Sequence, residues 1–421
     1  MKTVIGFDSW TLGASHFERL VPAFKEKGYT LLLIHIGSWG HDKNRPKEEM
    51  IGKLLVRDIS YYGKKSVIEI IEQEDPIMVL FLSTHPFAHM TFNRYVHYKG
   101  IPTCHLYHGL VNVQAVNSGE KAYRINYVQH CSLLISRSFK NIFRLIPFYC
   151  KSLVLTSASL RIWMIFWNAI LGKVIGRYFI ESKFLADRDT TIGCVYTHAD
   201  VEHMHRNYRV SLDKIYVVGN PDISSFHLMK KDMGVRLVQT SVSNTIIYID
   251  TALSESGVVF KSTSDFITHL LNTRDHLRSI GLQLSVKLHP AHFETSTPNI
   301  LKKEGIDICS NQEFIVRLKS AKAAIVEPSS ASIIPALMGI PILLCQYGRL
   351  NGQAYGAVLT TYPRSRYLKN LSEIQSILDE EQKSLLTAKV YEWINDNSGP
   401  MPSEDMPKRV IDAMCQMLDK K

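Results

Sequence analysis

The sequence predicts an α/β protein built around two parallel sheets. Short apolar, strand-like runs alternate with helix-like runs along most of the 421 residues, and this alternation is typical of βαβ units. The length favours two domains, because single domains usually contain about 100–200 residues. A hydrophobic content of 45% and a charged content of 21% are ordinary for a globular protein. We therefore expect two Rossmann-like domains that face each other across a cleft.

The first predicted domain covers residues 1–187. Thr3–Phe7 and Thr30–Ile36 are predicted strands, and the amphipathic stretch between them is a predicted helix that ends at Gly28. Two further short apolar runs are predicted strands of the same sheet, Ile77–Leu82 and Ile101–Tyr107.

The second predicted domain covers residues 188–380 and repeats this pattern. Its helices are predicted over residues 265–279 and 311–320. Its predicted strands are Thr191–Tyr196, Ile215–Val218, Thr245–Asp250, Leu282–Leu288, Ala323–Val326 and Ile342–Cys345. The remaining residues, 381–421, are predicted to be helical, and Glu381–Asn395 is expected to cross back to the first domain.

Residues 139–180 form a basic, aromatic segment. Trp163, Phe166 and Trp167 are interspersed there with lysines and arginines. The apolar run Ile162–Leu171 is shorter than the roughly 20 residues that span a bilayer. The segment therefore predicts an amphipathic helix in a membrane interface; the alternative is an ordinary buried helix of the first domain.

The net charge of +10 and the pI of about 9.1 favour an anionic partner. Nucleic acid is not expected, because the chain has neither an arginine-rich tail nor a basic-aromatic RNA motif. The seven cysteines include no Cys-x-x-Cys pair, so neither zinc nor a redox dithiol is indicated. Scattered cysteines suit a reducing compartment, and the first residues lack the apolar core of a signal peptide. We expect a cytoplasmic protein.

The strongest chemical signal is a pair of polar motifs that follow two predicted strands. His289-Pro290 follows Leu282–Leu288, and Glu327-Pro328-Ser329-Ser330 follows Ala323–Val326. In an open α/β sheet, ligands bind at the carboxyl ends of the strands, and the serines begin a predicted helix whose N-terminus can bind an anion. Here His289 can donate to a phosphate or act as a general acid. The alternatives are a turn histidine and an N-cap serine.

Other candidate residues lie at further strand ends. Glu255 belongs to the polar loop after Thr245–Asp250 and can contact a donor, whereas Gly219-Asn220-Pro221 forms a predicted turn. Asp8 follows the first strand, where a carboxylate can serve as a catalytic base. His85 and His108 are candidates at two further strand ends. No metal site is predicted, since Asp187-Arg-Asp189 lies before a strand, and His198, His203 and His205, with Asp200 and Glu202, fit an exposed helix face.

Together these motifs resemble those of the GT-B glycosyltransferases. The resemblance is carried by residues 217–221, by Lys287-Leu288-His289-Pro290, and by Glu327 through Ser330 with Gly339-Ile340-Pro341. Within that class the His-Pro and Ser-Ser pairs look like those of bacterial sialyltransferases, polysialyltransferases and capsule Kdo transferases. The resemblance implies that His289, Ser329 and Ser330 contact the phosphate of a CMP-sugar. Many UDP-sugar enzymes of the class have a ribose-binding glutamate where this chain has Ile334-Pro335-Ala336-Leu337, which favours CMP.

The sequence thus predicts a GT-B glycosyltransferase of bacterial capsule or lipopolysaccharide synthesis, peripheral on the inner membrane. It would transfer a sialic-acid-like or Kdo residue from a CMP-activated donor to a glycan or glycolipid, without a cofactor. The predicted catalytic residues are His289, Asp8 and Glu255. The predicted donor-binding residues are Gly219, Asn220, Pro221, His289, Pro290, Glu327, Ser329 and Ser330. The alternatives are a CDP-glycerol or UDP-sugar dependent transferase, an enzyme resembling UDP-N-acetylglucosamine 2-epimerase, and a non-catalytic scaffold.

Overall fold

The structure is a computed structural model. It describes residues 2–9, 11–39, 46–63, 67–84, 86–108, 145–175, 187–223, 243–251, 259–260, 262–289, 292–293, 295–328, 330–353, 355–383 and 388–418. The chain divides into two compact units. Among these residues, the first unit takes those up to Gly219 and from Glu404 onward, and the second takes Asn220–Ser403.

The first unit contains an eight-stranded sheet in the order β3-β4-β2-β1-β5-β6-β7-β8. Its neighbouring strands are parallel except for the antiparallel pair β3 and β4. The strands are β1 (Lys2–Asp8), β2 (Tyr29–His35), β3 (Glu48–Ile51), β4 (Leu54–Asp58), β5 (Met78–Phe81), β6 (Thr103–Leu106), β7 (Ile192–Val195) and β8 (Ile215–Val217).

Helices cover this sheet. They are Ala14–Glu18, Val21–Glu26, Val67–Glu74, Phe87–Tyr98, Leu160–Ile175, Val201–Tyr208 and Met406–Leu418, and residues 145–155 are helical too. One core forms where Phe7 and Phe81 pack against Phe92 of the helix Phe87–Tyr98. On β1, Gly6 permits a close approach, because a Cβ there would lie 2.7 Å from the ring of Phe17.

The second unit contains a six-stranded, fully parallel sheet in the order β11-β10-β9-β12-β13-β14. Its strands are β9 (Thr245–Ile249), β10 (Gln283–Lys287), β11 (Asp307–Ile308), β12 (Ala323–Val326), β13 (Ile342–Cys345) and β14 (Ser365–Leu368). Numbered within the unit, this order is 3-2-1-4-5-6, the strand order of dinucleotide-binding Rossmann sheets.

Alternate residues of the central strands β9, β12 and β13 enter two separate cores, one on each face of the second sheet. Ile247 and Val326 belong to one core, whereas Tyr248 and Ile325 belong to the other. This follows from the two-residue period of a strand, and burial on both faces explains the continuous apolar runs. The covering helices are Thr263–Ser279, Thr297–Lys303, Asn311–Leu318, Ile333–Leu337, Ala357–Thr360, Ile374–Lys383 and Ala388–Ser398.

The α/β prediction is confirmed, but the units divide differently from the predicted boundary at residue 187. The strands β7 and β8 extend the first sheet, because β7 pairs in parallel with β6 through Cys104 opposite Ile192. The helix Ala388–Ser398 does not cross back, since its Trp393 and Ile394 lie in a core of the second unit. The return is made by Met406–Leu418, whose Arg409 donates from Nε to the carbonyl oxygen of Val218 at 2.7 Å.

The basic, aromatic segment is helical where it is described, over residues 145–155 and Leu160–Ile175. Within the described ranges, we find no helix with both the length and the apolar character needed to cross a bilayer.

Candidate functional site

The second sheet places its polar motifs around a reversal of strand order. The chain builds β10 and β11 on one side of β9 and then returns to build β12 on the other. Ligands of such sheets bind beyond the carboxyl ends of the strands at this reversal. Asp250 and Thr251 follow β9, His289 follows β10, and Glu327 follows β12. Since neighbouring strands lie about 4.8 Å apart, the ends of β10 and β12 are separated by about 10 Å.

The main chain of His289 is held by a buried carboxylate. Its N–H donates to Oδ2 of Asp250 at 2.9 Å, and Nε2 of His292 lies 3.2 Å from the same oxygen. The N–H of His292 donates to the carbonyl oxygen of His289 at 3.0 Å, which closes the turn. Asp250 and His292 are buried, and the ring of His292 stacks on Phe266 with centroids 5.2 Å apart. The backbone of His289 is therefore held in place at the sheet edge, and its side chain is half-buried.

Glu327 is fully buried and binds other protein groups. Its Oε1 accepts from the hydroxyl of Tyr248 at 2.7 Å, and its Oε2 accepts from the N–H and the hydroxyl of Thr251 at 3.0 and 2.7 Å. Burial raises the pKa of Glu327, and the Asp250 carboxylate raises it further, whereas the hydrogen bonds from Thr251 and Tyr248 lower it. Through these hydrogen bonds the carboxyl group of Glu327 holds Tyr248 and Thr251 at the end of β9. They do not test the predicted contact of Glu327 with a donor.

A chain of buried aromatic and polar groups continues from Glu327 toward the helix Thr263–Ser279. The hydroxyl of Tyr248 lies 3.1 Å from Nε2 of His269, and Tyr347 stacks on His269 with centroids 4.8 Å apart. Tyr347 also hydrogen-bonds Thr273 at 2.7 Å. Burial lowers the pKa of His269 to about 4. A neutral imidazole thus supports the site from within the core.

The serine motif is described in part. Ser330 begins a 3₁₀ turn, and Ser332 donates from Oγ to the carbonyl oxygen of Glu327 at 2.9 Å before the helix Ile333–Leu337 begins. Ser332 is the buried serine of the run that bonds the main chain. The predicted contacts of Ser329, Pro290 and Glu255 lie outside the described residues, as does the side chain of Ser330.

The turn predicted at Gly219-Asn220-Pro221 follows β8 at the edge of the first sheet, and not a strand of the second sheet. Gly219 has φ of +94°, a backbone conformation that glycine adopts without the strain that a Cβ causes. Asn220 is buried, and Pro221 begins a short 3₁₀ helix. These observations agree with a structural turn and do not test the predicted contact with a donor.

The first sheet has its own reversal of strand order, between β1 and β5, and Asp8 ends β1 there. Its Oδ1 accepts from the N–H of Ser9 at 2.6 Å, and Nε2 of His89 lies 3.7 Å from this oxygen. His89 is buried, and neither of its ring nitrogens has a hydrogen-bond partner among the described residues. The position predicted for a base is therefore a carboxylate beside a buried imidazole.

Sequence reasoning missed His89, which lies inside the helix Phe87–Tyr98 and contacts Phe7 edge-on at 4.9 Å. The available signal was its position four residues after His85, at the start of the helix that follows β5. His108 follows β6, and its ring lies 5.8 Å from that of His16. His85 lies outside the described residues.

The acidic and histidine patterns that suggested a metal have structural roles where they are described. Asp187 pairs with Arg94 at 2.9 Å. His203 is buried, and its Nδ1 lies 2.9 Å from the hydroxyl of Tyr107, so it does not occupy an exposed helix face. Asp200 is buried too and accepts from the N–H and the hydroxyl of Thr197 at 3.0 and 2.9 Å. The described parts of the chain contain no group of three or more His, Cys, Asp or Glu residues placed to hold a metal.

Solved structures align with nearly the whole chain. The UDP-GlcNAc 2-epimerase of Methanocaldococcus jannaschii, in complex with UDP-GlcNAc and UDP, aligns with a TM-score of 0.50 and 11% identity over 99% of this chain and 100% of that chain. The wall teichoic acid polymerase TagF aligns with a TM-score of 0.49 and 13% identity, over 99% of this chain and 90% of that chain. A glycosyltransferase of Rickettsia africae aligns with a TM-score of 0.47 and 13% identity, over 100% of this chain and 99% of that chain.

No protein-family model matches the sequence, and no curated protein sequence matches it. At 11% identity, the alignment with the Methanocaldococcus epimerase shows the fold alone. The predicted class is confirmed at that level: the chain has the GT-B fold with two Rossmann-like domains.

Proposed function

We propose that this chain is a glycosyltransferase of bacterial capsule or lipopolysaccharide synthesis. It transfers a sialic-acid-like or Kdo residue from a CMP-activated donor to a glycan or glycolipid acceptor. The observation that carries the proposal is the anchored His289 at the reversal of strand order in the second sheet. We place the reaction in the cytoplasm, at the inner face of the membrane.

His289 is the proposed contact to the leaving phosphate. A hydrogen-bond donor that is already oriented stabilises developing negative charge without reorganising during the reaction. The carboxylate of Asp250 orients His289 in this way, because it fixes the main chain of that residue. The serine run starts a helix about 10 Å away across the sheet edge, and free N–H groups at a helix start favour phosphate. In this scheme Ser329 and Ser330 bind the same phosphate, and Pro290, Gly219, Asn220 and Pro221 line the donor site.

Two carboxyl groups have separate roles in the scheme. Glu327 is a positioning residue, because its buried oxygens bind Thr251 and Tyr248. Asp8 is the proposed base that activates the acceptor hydroxyl, and Glu255 is the alternative base. The scheme uses no cofactor besides the donor.

The alternative functions differ in the nucleotide that the protein binds, or in whether it binds one at all. A CDP-glycerol transferase binds CDP best, whereas a UDP-sugar transferase or an epimerase binds UDP best, and a scaffold binds none of them. A thermal-shift screen of CMP, CDP, UDP and GDP separates these cases, because a ligand of the native state raises the melting temperature. The proposal expects CMP to give the largest shift. A largest shift with UDP or CDP overturns the CMP assignment.

The role of His289 is tested by His289→Ala, with His276→Ala as a control at a half-buried histidine of the same unit. Loss of one oriented hydrogen-bond donor to a developing anion lowers turnover by about 100-fold or more. We expect that loss in His289→Ala, with little change in melting temperature, and near-normal turnover in His276→Ala. Normal sugar transfer by His289→Ala refutes the proposed mechanism.

A further inference from the structure

The helix Leu160–Ile175 exposes an apolar stripe. Leu160, Met164 and Trp167 have exposed fractions of 77%, 56% and 48%. Their spacing of four and then three residues places them on one helix face. Val154 and Leu155, at the end of the preceding helical stretch, are exposed as well. We call Leu160, Met164 and Trp167 the outer stripe.

The opposite face of this helix is part of the first unit's core. Phe166 is buried with Met90, Tyr149 and Leu153, and its ring lies 4.8 Å from that of Tyr149. Of the three aromatic residues predicted to enter a membrane, Phe166 is therefore a core residue, Trp163 is half-buried, and Trp167 is exposed. The core holds the helix in place, and apolar groups clustered on an exposed face mark an interaction surface.

The charge of the segment that carries the outer stripe favours an anionic partner. Residues 139–180 contain no aspartate or glutamate, and they contain six cationic residues: Lys140, Arg144, Lys151, Arg161, Lys173 and Arg177. Arg161 is exposed next to Leu160. A two-fold contact between copies of this chain would place Arg161 on both sides of the same contact. An anionic lipid surface accepts apolar side chains and cations together.

We propose that the outer stripe binds anionic lipid. Leu160, Met164 and Trp167 enter the boundary between headgroups and acyl chains, and Arg161 contacts the headgroups. The helix lies along the membrane surface with Phe166 on its protein side. This inference deepens the membrane location in the proposed function, but it rests on the surface of one helix and does not depend on sugar transfer.

The first experiment measures cosedimentation with vesicles of phosphatidylcholine, with and without phosphatidylglycerol, in the absence of donor and acceptor. The test protein carries Leu160→Gln, Met164→Gln and Trp167→Gln, because glutamine has a helix propensity close to that of leucine and methionine. We expect wild type to bind the phosphatidylglycerol vesicles, and the triple variant to bind at least about tenfold more weakly. The control carries Tyr98→Gln, Leu212→Gln and Val316→Gln, which are exposed apolar positions elsewhere, and should bind as wild type does.

The second experiment separates the charge from the apolar contact. Arg161→Gln should weaken binding to the same vesicles by about fivefold, because a cation near an anionic surface contributes about 1 kcal/mol. Added salt should reduce this difference. If the triple variant does not fold, Trp167→Gln alone supplies the test, with a loss of about fivefold expected.

Three results overturn the inference. If wild type does not cosediment with phosphatidylglycerol vesicles, the outer stripe does not bind anionic lipid. Equal loss in the triple variant and in its exposed control shows that the position of the apolar groups is irrelevant. Wild type that is dimeric by light scattering, with a monomeric triple variant, shows that a second copy covers the stripe.

Discussion

The turn after β10 depends on one buried carboxylate, so Asp250→Ala is the most informative single change in the second unit. Oδ2 of Asp250 accepts from the N–H of His289 at 2.9 Å and lies 3.2 Å from Nε2 of His292. Alanine removes both contacts at once. The side chain of Asp250 is buried, so water does not take over its two lost contacts while the turn stays closed.

The expected cost follows from these two contacts. A hydrogen bond to a charged group contributes about 1.5–3 kcal/mol, and a buried group left without its partner costs about 1–3 kcal/mol. We therefore expect local opening of the turn to become easier by about 3 kcal/mol, or about 150-fold. Asp250→Asn keeps an acceptor oxygen in the position of Oδ2 and loses the charge, so about 1 kcal/mol, or about fivefold, is expected.

Hydrogen–deuterium exchange of the peptide that contains His289 measures this opening directly, because amide exchange reports local unfolding. The amide of His289 should exchange about 150-fold faster in Asp250→Ala and about fivefold faster in Asp250→Asn. Asp379→Ala is the control, since Asp379 is an exposed aspartate in the same unit, and should exchange at His289 as wild type does. Unchanged exchange at His289 in Asp250→Ala refutes the assigned anchor.

Two further predictions concern the buried histidine and the first sheet. Burial lowers the pKa of His269 from 6.5 to about 4, so the unfolded chain takes up a proton that the folded chain does not. Stability present above pH 6.5 is then lost as the pH falls toward about 4, by about 3 kcal/mol. His269→Gln should lose less stability than wild type between about pH 7 and pH 4.5 in urea unfolding, and equal losses would contradict the assignment. Gly13 has φ of −77°, which alanine adopts without strain, but a Cβ there would clash with Oδ2 of Asp8. Gly13→Ala should displace Asp8 and lower sugar transfer about 100-fold, the loss that we also expect for Asp8→Asn, and normal turnover in Gly13→Ala would argue against Asp8 as the base.

Local sequence patterns were sufficient to predict the strands that carry the site. Thr245–Ile249 and Ala323–Val326 are apolar at every or almost every position because both faces of a parallel sheet are covered, whereas the run Leu282–Leu288 alternates apolar and polar residues. Polar residues directly after such runs can lie only at the sheet edge, so the positions of His289 and Glu327 followed from the chain itself. The strands Glu48–Ile51, Leu54–Asp58, Asp307–Ile308 and Ser365–Leu368 were not predicted, since they are short, partly exposed and polar in part.

The sequence by itself determined the α/β class, the two-domain organisation and the strand ends that carry His289 and Asp8, because strand periodicity and the chemistry of strand ends are local properties. The tertiary structure alone decided the sheet to which β7 belongs, since the pairing of Cys104 with Ile192 joins residues far apart in sequence. It also decided that Glu327 is buried against Tyr248 and Thr251, that His89 lies beside Asp8, and that Phe166 is a core residue while Trp167 is exposed. Burial depends on which elements pack together, and neither periodicity nor composition specifies which strand neighbours which.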